Sequence, residues 1–159
     1  MIDPTLAIAP RYDRVREHTA PHVNQRIDLL TRAMIDATVT GGPSAIEQRL
    51  GELDVEWDVD RALMVNFAVA GGLTFSLGMT RFSRSPLFGP RRKGFLYFFG
   101  AQLAFLLLHG VAGWCPPAPV FRRLGFRTKG EIEAERHALL QAMDGAGKAA
   151  GTTHAARGT

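Results

Sequence analysis

Few side chains in this chain of 159 residues have types that could do chemistry, and the single cysteine, Cys115, is the first of them. Arg122 and Arg123 follow it closely, and nearby positive charge lowers the pKa of a thiol and raises its thiolate fraction. One cysteine excludes an intrachain disulfide and a multi-cysteine metal site. Cys115 is therefore a candidate reactive thiol. The alternative is a small buried residue that fits a tight Trp-Cys-Pro turn.

A second group consists of the polar residues Asn66, Gln102 and His109, which interrupt two long apolar runs. Polar groups in hydrocarbon are costly unless they have partners. In an antiparallel pair of helices, Asn66 lies level with His109, and Gln102 lies level with Gly72. We therefore predict a hydrogen bond between Asn66 and His109, with Gln102 against the groove left by Gly71 and Gly72. A proton relay or a haem ligand at His109 would need a second group at the same depth, which neither run offers.

Glu133 and His137 stand four residues apart on a predicted polar helix, a spacing that can place two metal ligands on one helix face. A lone pair of this kind is far more often part of a solvated, salt-bridged surface. The sequence shows no constellation of nucleophile, base and acid. We expect neither an enzymatic activity nor a bound cofactor or metal.

The elements that position these residues follow from two stretches without a charged residue, 62–80 and 94–114. About 20 apolar residues in a helix rise far enough to cross the hydrocarbon core of a bilayer. A helix in lipid satisfies its own backbone hydrogen bonds, so each run predicts one spanning helix. The predicted fold class is all-α, an integral membrane helical hairpin of two transmembrane helices with an amphipathic N-terminal helix and a polar C-terminal helix.

The amphipathic helix precedes the hairpin. An apolar stripe at helical spacing predicts it, and the members of the stripe are Ile27, Leu30, Met34 and Ala37. The stripe must be buried on lipid, on the hairpin or on another chain.

Two capping boxes predict the starts of further helices: Ser44 with Glu47, and Thr128 with Glu131. Gly145 is expected to stop the last helix. Together these signals predict an irregular, solvated leader at 1–21, an amphipathic helical region at 22–56, the hairpin domain at 57–127, a polar helix at 128–145 and a disordered tail at 146–159.

The predicted partner of the hairpin is a lipid bilayer. Trp57 and Trp114 lie at the same membrane face, where indoles typically anchor a helix at the interface. The net charge is +4, and the basic residues cluster beside the apolar runs, which favours anionic lipid headgroups over nucleic acid. The predicted headgroup contacts are Arg81, Arg84, Arg91, Arg92, Lys93, Arg122, Arg123 and Arg127.

The segment 109–117, His-Gly-Val-Ala-Gly-Trp-Cys-Pro-Pro, with Leu124-Gly125 after it, resembles the YgaP-like transmembrane domain family of bacterial inner-membrane proteins. That family commonly ends its second helix in a Gly-aromatic-Cys-Pro turn and often begins its first with an Asp-Arg pair, matched here by Asp60-Arg61. The resemblance covers about 57–127 and implies a hairpin whose function is largely unknown. Some members carry a rhodanese domain, for which residues 1–56 are too short.

Two hypotheses for the function follow. The first is a non-enzymatic anchor, assembly module or accessory subunit, either a homo-oligomer or part of a larger membrane complex. The second is a persulfide relay or redox accessory protein that acts through Cys115 with a rhodanese-type partner. The expected location is the bacterial inner membrane, as a multi-pass protein. Basic residues on the two sides of the hairpin balance, so the expectation of cytoplasmic termini rests on the soluble terminal segments and on the family.

Overall fold

The computed structural model describes residues 13–79 and 91–156, with their side chains except at 91–93 and 147–156. Regular structure in these ranges is helical throughout, which confirms the predicted all-α class. The helices are α1 (Arg14–Glu17), α2 (Pro21–Thr40), α3 (Pro43–Val55), α4 (Val59–Met79), α5 (Arg91–Ala112), α6 (Ala118–Arg123) and α7 (Lys129–Ala156). The two predicted spanning helices correspond to α4 and α5.

The chain divides into two compact units. Unit 1 contains Pro21–Trp57 and the chain from Arg127 onward, so α2, α3 and α7 form it. Unit 2 contains Arg14–Ala20 and Asp58–Phe126, so α1, α4, α5 and α6 form it. The long segment of unit 2 covers nearly the same residues as the hairpin domain predicted at 57–127, but unit 2 also includes Arg14–Ala20, which the prediction assigned to the leader. In sequence, the hairpin is thus an insertion into a three-helix unit.

Apolar side chains from all three helices form the core of unit 1. Its buried members are Ile35, Ile46, Leu53, Ile132 and Leu139. Full burial of a side chain of this size stabilises a fold by about 1.5–3 kcal/mol. This core joins regions that were predicted to be separate segments, because no local sequence pattern shows that α7 returns to pack on α2 and α3.

The buried face of α2 differs from the predicted stripe. Its buried residues are Val23, Ile27, Thr31, Ile35 and Thr38. Leu30 is 61% exposed, Met34 is 46% exposed and Ala37 is exposed as well, although all three were predicted to line the buried stripe. The prediction was wrong because it counted only apolar residues, whereas the buried row includes two threonines. Thr31 is buried because its hydroxyl accepts a hydrogen bond from Arg127 at 3.2 Å.

Helix α7 begins as predicted and ends later than predicted. The backbone N–H of Thr128 donates to Glu131 Oε2 at 2.8 Å, and the N–H of Glu131 donates to Thr128 Oγ1 at 3.3 Å, which confirms the capping box. The helix continues past Gly145 to Ala156, so the predicted stop and most of the predicted disordered tail are corrected. A glycine inside a helix costs only about 1 kcal/mol relative to alanine, and the surrounding alanines favour the helix.

Helix α3 begins without the predicted capping box at Ser44 and Glu47. Gly42 precedes the helix with a φ of 84°, in the left-handed region that favours glycine, and no side chain caps the helix start. Pro43 occupies the first turn, where its missing N–H costs nothing and its fixed φ suits a helix.

Helices α4 and α5 of unit 2 pack closely through glycines. A Cβ at Gly71 would lie 3.5 Å from the ring of Phe99, and a Cβ at Gly78 would lie 2.8 Å from Leu96 Cδ2. As the residue number rises on α4, the partner number falls on α5, so the two helices form the predicted antiparallel hairpin. A larger residue at Gly78 would require the Leu96 side chain to move.

A second buried cluster lies within unit 2. Its members are Val15, Val59, Leu63, Phe67, Cys115 and Ala118. Val15 on α1 is only 6% exposed, and the ring of His18 stacks on Trp114 with centroids 3.8 Å apart. The predicted leader is therefore not solvated at Val15, because a short amphipathic turn packs this side chain against the hairpin, while the exposed ring of His18 covers Trp114. The rest of the leader, 1–12, lies outside the described residues.

Two helices in the described ranges are long and apolar enough to cross a membrane. They are Val59–Met79, of 21 residues, and Gly94–Ala112, of 19 residues. The share of each that the fold buries is small: 33% for the first and 6% for the second.

Candidate functional site

Gln102 is the polar centre of the hairpin. It is 7% exposed, and its Oε1 accepts a hydrogen bond from Thr74 Oγ1 at 3.2 Å. A Cβ at Gly71 would lie 3.8 Å from this oxygen, which confirms that Gln102 lies against Gly71. Gly72 faces away from this contact, since nothing lies within 4 Å of its Cβ position. Thr74 was not predicted as the partner of Gln102, although it follows Gly71 by three residues and so lies on the same helix face.

The predicted hydrogen bond between Asn66 and His109 is not formed. His109 Nε2 lies 3.0 Å from Asp60 Oδ1, and Nε2 carries the hydrogen because a carboxylate only accepts. Asn66 is exposed. The prediction considered only the level of Asn66 and His109 along the hairpin and not the direction in which their side chains point. Residues six apart on a helix point about 240° apart, so Asp60 and Asn66 cannot both face α5.

Cys115 lies in the turn between α5 and α6 and is 0% exposed. Burial raises the pKa of its thiol, a hydrogen bond from the backbone of Ala118 offsets part of this, and the nearby carboxylate of Asp60 raises the pKa further. The pKa lowering that was predicted from Arg122 and Arg123 is therefore wrong. A buried, protonated thiol is a poor nucleophile, so the structure gives Cys115 a packing role.

The segment around Cys115 forms a helix stop. Gly113 has a φ of 74°, a left-handed conformation that glycine adopts without strain, and its N–H donates to the carbonyl of His109 at 2.9 Å. A Cβ there would also lie 3.5 Å from Arg14 Cγ. The Gly-Trp-Cys-Pro sequence thus ends α5 sharply, and Trp114 then stacks on His18.

The predicted headgroup contacts fall into three groups. Arg122 is 1% exposed and its Nη1 donates to the carbonyl of Phe126 at 3.1 Å, and Arg127 is 7% exposed, so neither is available to lipid. The prediction of headgroup contact was wrong for both arginines for the same reason, because each guanidinium donates to acceptors within the fold. Arg123 is exposed, as is Trp57, so their predicted positions at the interface stay predictions. The others, Arg81, Arg84, Arg91, Arg92 and Lys93, lie outside the residues whose side chains are described.

A network of ion pairs in unit 1 was not predicted from the sequence. Arg127 forms a forked pair with Glu56, Nε to Oε1 at 2.7 Å and Nη2 to Oε2 at 2.8 Å. Its Nη1 donates to Glu135 Oε2 and to the hydroxyl of Thr31. Arg49 Nε donates to Glu135 Oε1 at 2.8 Å. Because Glu135 is 0% exposed, its charge depends on these two arginines for compensation.

The network raises the pKa of both of its arginines, so they stay charged. The hydrogen bond to Glu135 is the largest influence on Arg49 and raises its pKa against the effect of burial. Burial lowers the pKa of Arg127, but the hydrogen bonds to Glu56 and Glu135 outweigh it, and the pKa is raised. Arg49 in turn lowers the pKa of Glu52. Since Glu56 lies just before the hairpin in sequence and Arg127 just after it, the network joins the two positions at which the chain leaves and re-enters unit 1.

Glu133 and His137 take part in no metal site that the structure describes. Glu133 Oε2 lies 3.5 Å from Arg136 Nε, and Arg136 Nη2 lies 2.7 Å from Asp54 Oδ1. His137 is exposed. Among the described residues, no three His, Cys, Asp or Glu side chains come together as metal ligands.

Comparison of the chain with protein-family models, curated proteins and solved structures gives no match. The resemblance to the YgaP-like family therefore stays a prediction that rests on the segment 109–117 and the residues quoted with it. The features that bear on function are those of the chain itself: two outward-facing apolar helices and the ion-pair network of unit 1.

Proposed function

We propose that the chain is a non-enzymatic membrane protein whose hairpin, α4 and α5, spans a bilayer and anchors unit 1 at its surface. The observation that supports this is the exposure of α5. Its apolar stretch Gly94–Ala112 is long enough to cross a membrane, yet only 6% of it is buried within the fold. The core helix of a soluble protein would be mostly buried, because water disfavours contiguous apolar surface. Lipid is the solvent that suits such a helix.

The outward side chains of the hairpin are large and apolar. On α4 Val69 is 67% exposed and Leu73 is 59% exposed, and on α5 Leu107 is 69% exposed and Val111 is 81% exposed. Each such side chain gains about 1.5–3 kcal/mol when it moves from water into an apolar environment. Insertion of both helices is therefore strongly favoured over exposure to water.

The finer parts of the proposal come from the sequence. They are the bacterial inner membrane, cytoplasmic termini, contact of the basic loop with anionic headgroups, and a role as an assembly module or accessory subunit.

A fusion tests the cytoplasmic position of the carboxyl terminus. Alkaline phosphatase, which is active only outside the cytoplasm, should stay inactive when fused after Thr159. The burial of Cys115 disfavours a persulfide relay, so anchoring is the one function that we propose.

A pair of arginine substitutions tests membrane insertion. Val69 and Leu30 are exposed to a similar degree, 67% and 61%, but only Val69 lies in a proposed span. A soluble protein would tolerate arginine at both positions. An arginine at the centre of a spanning helix costs about 2.5–3.5 kcal/mol on insertion. We therefore expect Val69→Arg to reduce the fraction of protein that resists alkaline extraction from membranes, and Leu30→Arg to leave it unchanged.

Two results would contradict the proposal. One is release of the unmodified chain into the supernatant at alkaline pH. The other is extraction of Val69→Arg that matches the unmodified chain, since the outer face of α4 would then not lie in hydrocarbon.

A further inference from the structure

The small residues of α4 divide into two sets with different surroundings. Gly71 and Gly78 contact α5, as described above. The other set consists of Ala68, Gly72 and Ser76, spaced at i, i+4 and i+8, and all three are exposed. Nothing lies within 4 Å of the Cβ position of Gly72. The hairpin therefore presents a ridge of small residues on its outer surface that its own packing does not use. We call it the α4 ridge.

A groove runs beside the α4 ridge, between α4 and α5. It encloses about 290 Å³, its walls include Ala68, Gly72, Phe99 and Leu106, and Gln102 is the polar residue in its lining. Gln102 is 93% buried, and its Oε1 is held by Thr74. Its amide nitrogen, a donor of two hydrogens, has no hydrogen bond to any residue that the structure describes. A recessed polar donor thus opens into an apolar groove at the middle of the proposed span.

From the α4 ridge and the groove we infer that this face of the hairpin binds helix α4 of a second copy of the chain. The inference rests on the proposed membrane insertion. Small residues at every fourth position let two helices approach closely in lipid, where close packing and polar contacts drive association. A twofold arrangement uses the same surface on both copies.

Polar complementarity favours a second copy over a lipid tail as the occupant. An acyl chain offers no acceptor to the amide nitrogen of Gln102. The α4 ridge carries an acceptor of its own, the exposed hydroxyl of Ser76, one turn from Gly72. Two copies that meet at Gly72 thus bring donors and acceptors together at the depth where unpaired polar groups are costly. Helix α5 also exposes small residues, Gly100 and Ala104, but the groove residue Gln102 does not lie on that face.

The test compares two glycine substitutions of equal size at similar depth. Gly72 and Gly100 each have nothing within 4 Å of the Cβ position, so a side chain added at either begins in open space on the outer surface. Full-length chains are labelled at the amino terminus with donor or acceptor dyes, reconstituted in phosphatidylethanolamine–phosphatidylglycerol vesicles, and studied by energy transfer as a function of protein-to-lipid ratio. We expect association of the unmodified chain, a loss of about tenfold or more in affinity for Gly72→Leu, and no change for Gly100→Leu.

A third variant tests the polar contact. Ser76→Ala keeps the α4 ridge small and removes only the hydroxyl, and we expect a loss of about threefold to tenfold in dimer affinity. Circular dichroism should show equal helix content for all variants. Three results would overturn the inference: a monomeric unmodified chain in vesicles, an equal effect of Gly100→Leu and Gly72→Leu, or full association of Gly72→Leu. If the unmodified chain does not enter the membrane fraction, the proposed function fails as well, whereas an inserted monomer refutes this inference alone.

Discussion

Replacing Arg127 by alanine should produce a large loss of stability outside the hairpin. Arg127 holds three partners in unit 1: Glu56 through a forked pair, Glu135, and the hydroxyl of Thr31. Alanine removes all of these contacts at once. The loss differs from that of an ordinary surface ion pair because Glu135 is 0% exposed and cannot recover its hydration.

The expected loss in the free energy of unfolding depends on the contacts that each former partner of Arg127 retains. Removing one member of a buried ion pair typically costs about 3–5 kcal/mol. Glu135 retains Arg49, whose Nε lies 2.8 Å from Oε1, and the Glu56 side chain is 26% exposed and regains water. The cost of Arg127→Ala should therefore lie near the lower end, at about 3 kcal/mol. For a chain of this size, that corresponds to a fall of about 6–12 °C in the melting temperature.

The assay is thermal unfolding of the full chain in detergent micelles, followed by circular dichroism. Arg136→Ala is the matched control, because Arg136 also forms an ion pair across unit 1, with Asp54 at 2.7 Å, but the Asp54 side chain is 64% exposed. Surface pairs contribute at most about 1 kcal/mol, so the control should lose no more than about 4 °C. Arg127→Lys should fall between the two, since lysine keeps the charge but cannot form the forked pair with Glu56.

A melting temperature for Arg127→Ala within about 2 °C of the Arg136→Ala control would refute this reasoning. Such a result would mean that water or a rearranged Arg49 compensates Glu135. The double variant with Glu56→Ala separates the contributions, because a real forked pair makes the two substitutions non-additive.

Three further results are expected. In the folded chain Cys115 should react with iodoacetamide more slowly than in the denatured chain at pH 8, because burial raises the pKa of its thiol, and equal rates would show that the thiol is accessible. Gly113→Ala should destabilise by about 1–2 kcal/mol, since its φ of 74° is left-handed, whereas Gly110→Ala in the helix should not; equal melting temperatures of the two variants would contradict this. Thr128→Ala removes a hydroxyl that caps α7 and should cost about 0.5–2 kcal/mol in the same assay, and an unchanged stability would show that the cap is dispensable.

Features set by short segments could be predicted from the sequence. The hairpin follows from two charge-free runs, which correspond to α4 and α5. The capping box at Thr128 depends on four consecutive residues. The contact of Gln102 with Gly71 depends only on which residues of α4 and α5 lie opposite one another in the antiparallel hairpin. In these cases the deciding interactions lie within one turn or within one pair of adjacent helices.

Features set by distant partners could not be predicted. Arg127 pairs with Glu56, which precedes it by 71 residues, so its position beside other basic residues suggested lipid contact instead. Cys115 has arginines nearby in sequence, but its environment is a buried cluster that raises its pKa. The error at His109 arose because depth in a hairpin was considered without the direction in which each side chain points. Burial and helix phase decide these three sites, and neither can be read from spacing alone.

The depth of Val69 in a bilayer is the most direct test of the central claim, that α4 and α5 span a membrane. A nitroxide attached to Val69→Cys in lipid vesicles reports its depth through its relative accessibility to oxygen and to a water-soluble nickel complex, while buried Cys115 stays unlabelled. The hydrocarbon core is about 30 Å thick, so we predict that this label lies about 15 Å below the headgroups and is reached mainly by oxygen. A label on Gln48→Cys, on the exposed surface of α3, should be reached mainly by nickel. Nickel accessibility at Val69→Cys equal to that at Gln48→Cys would contradict the account.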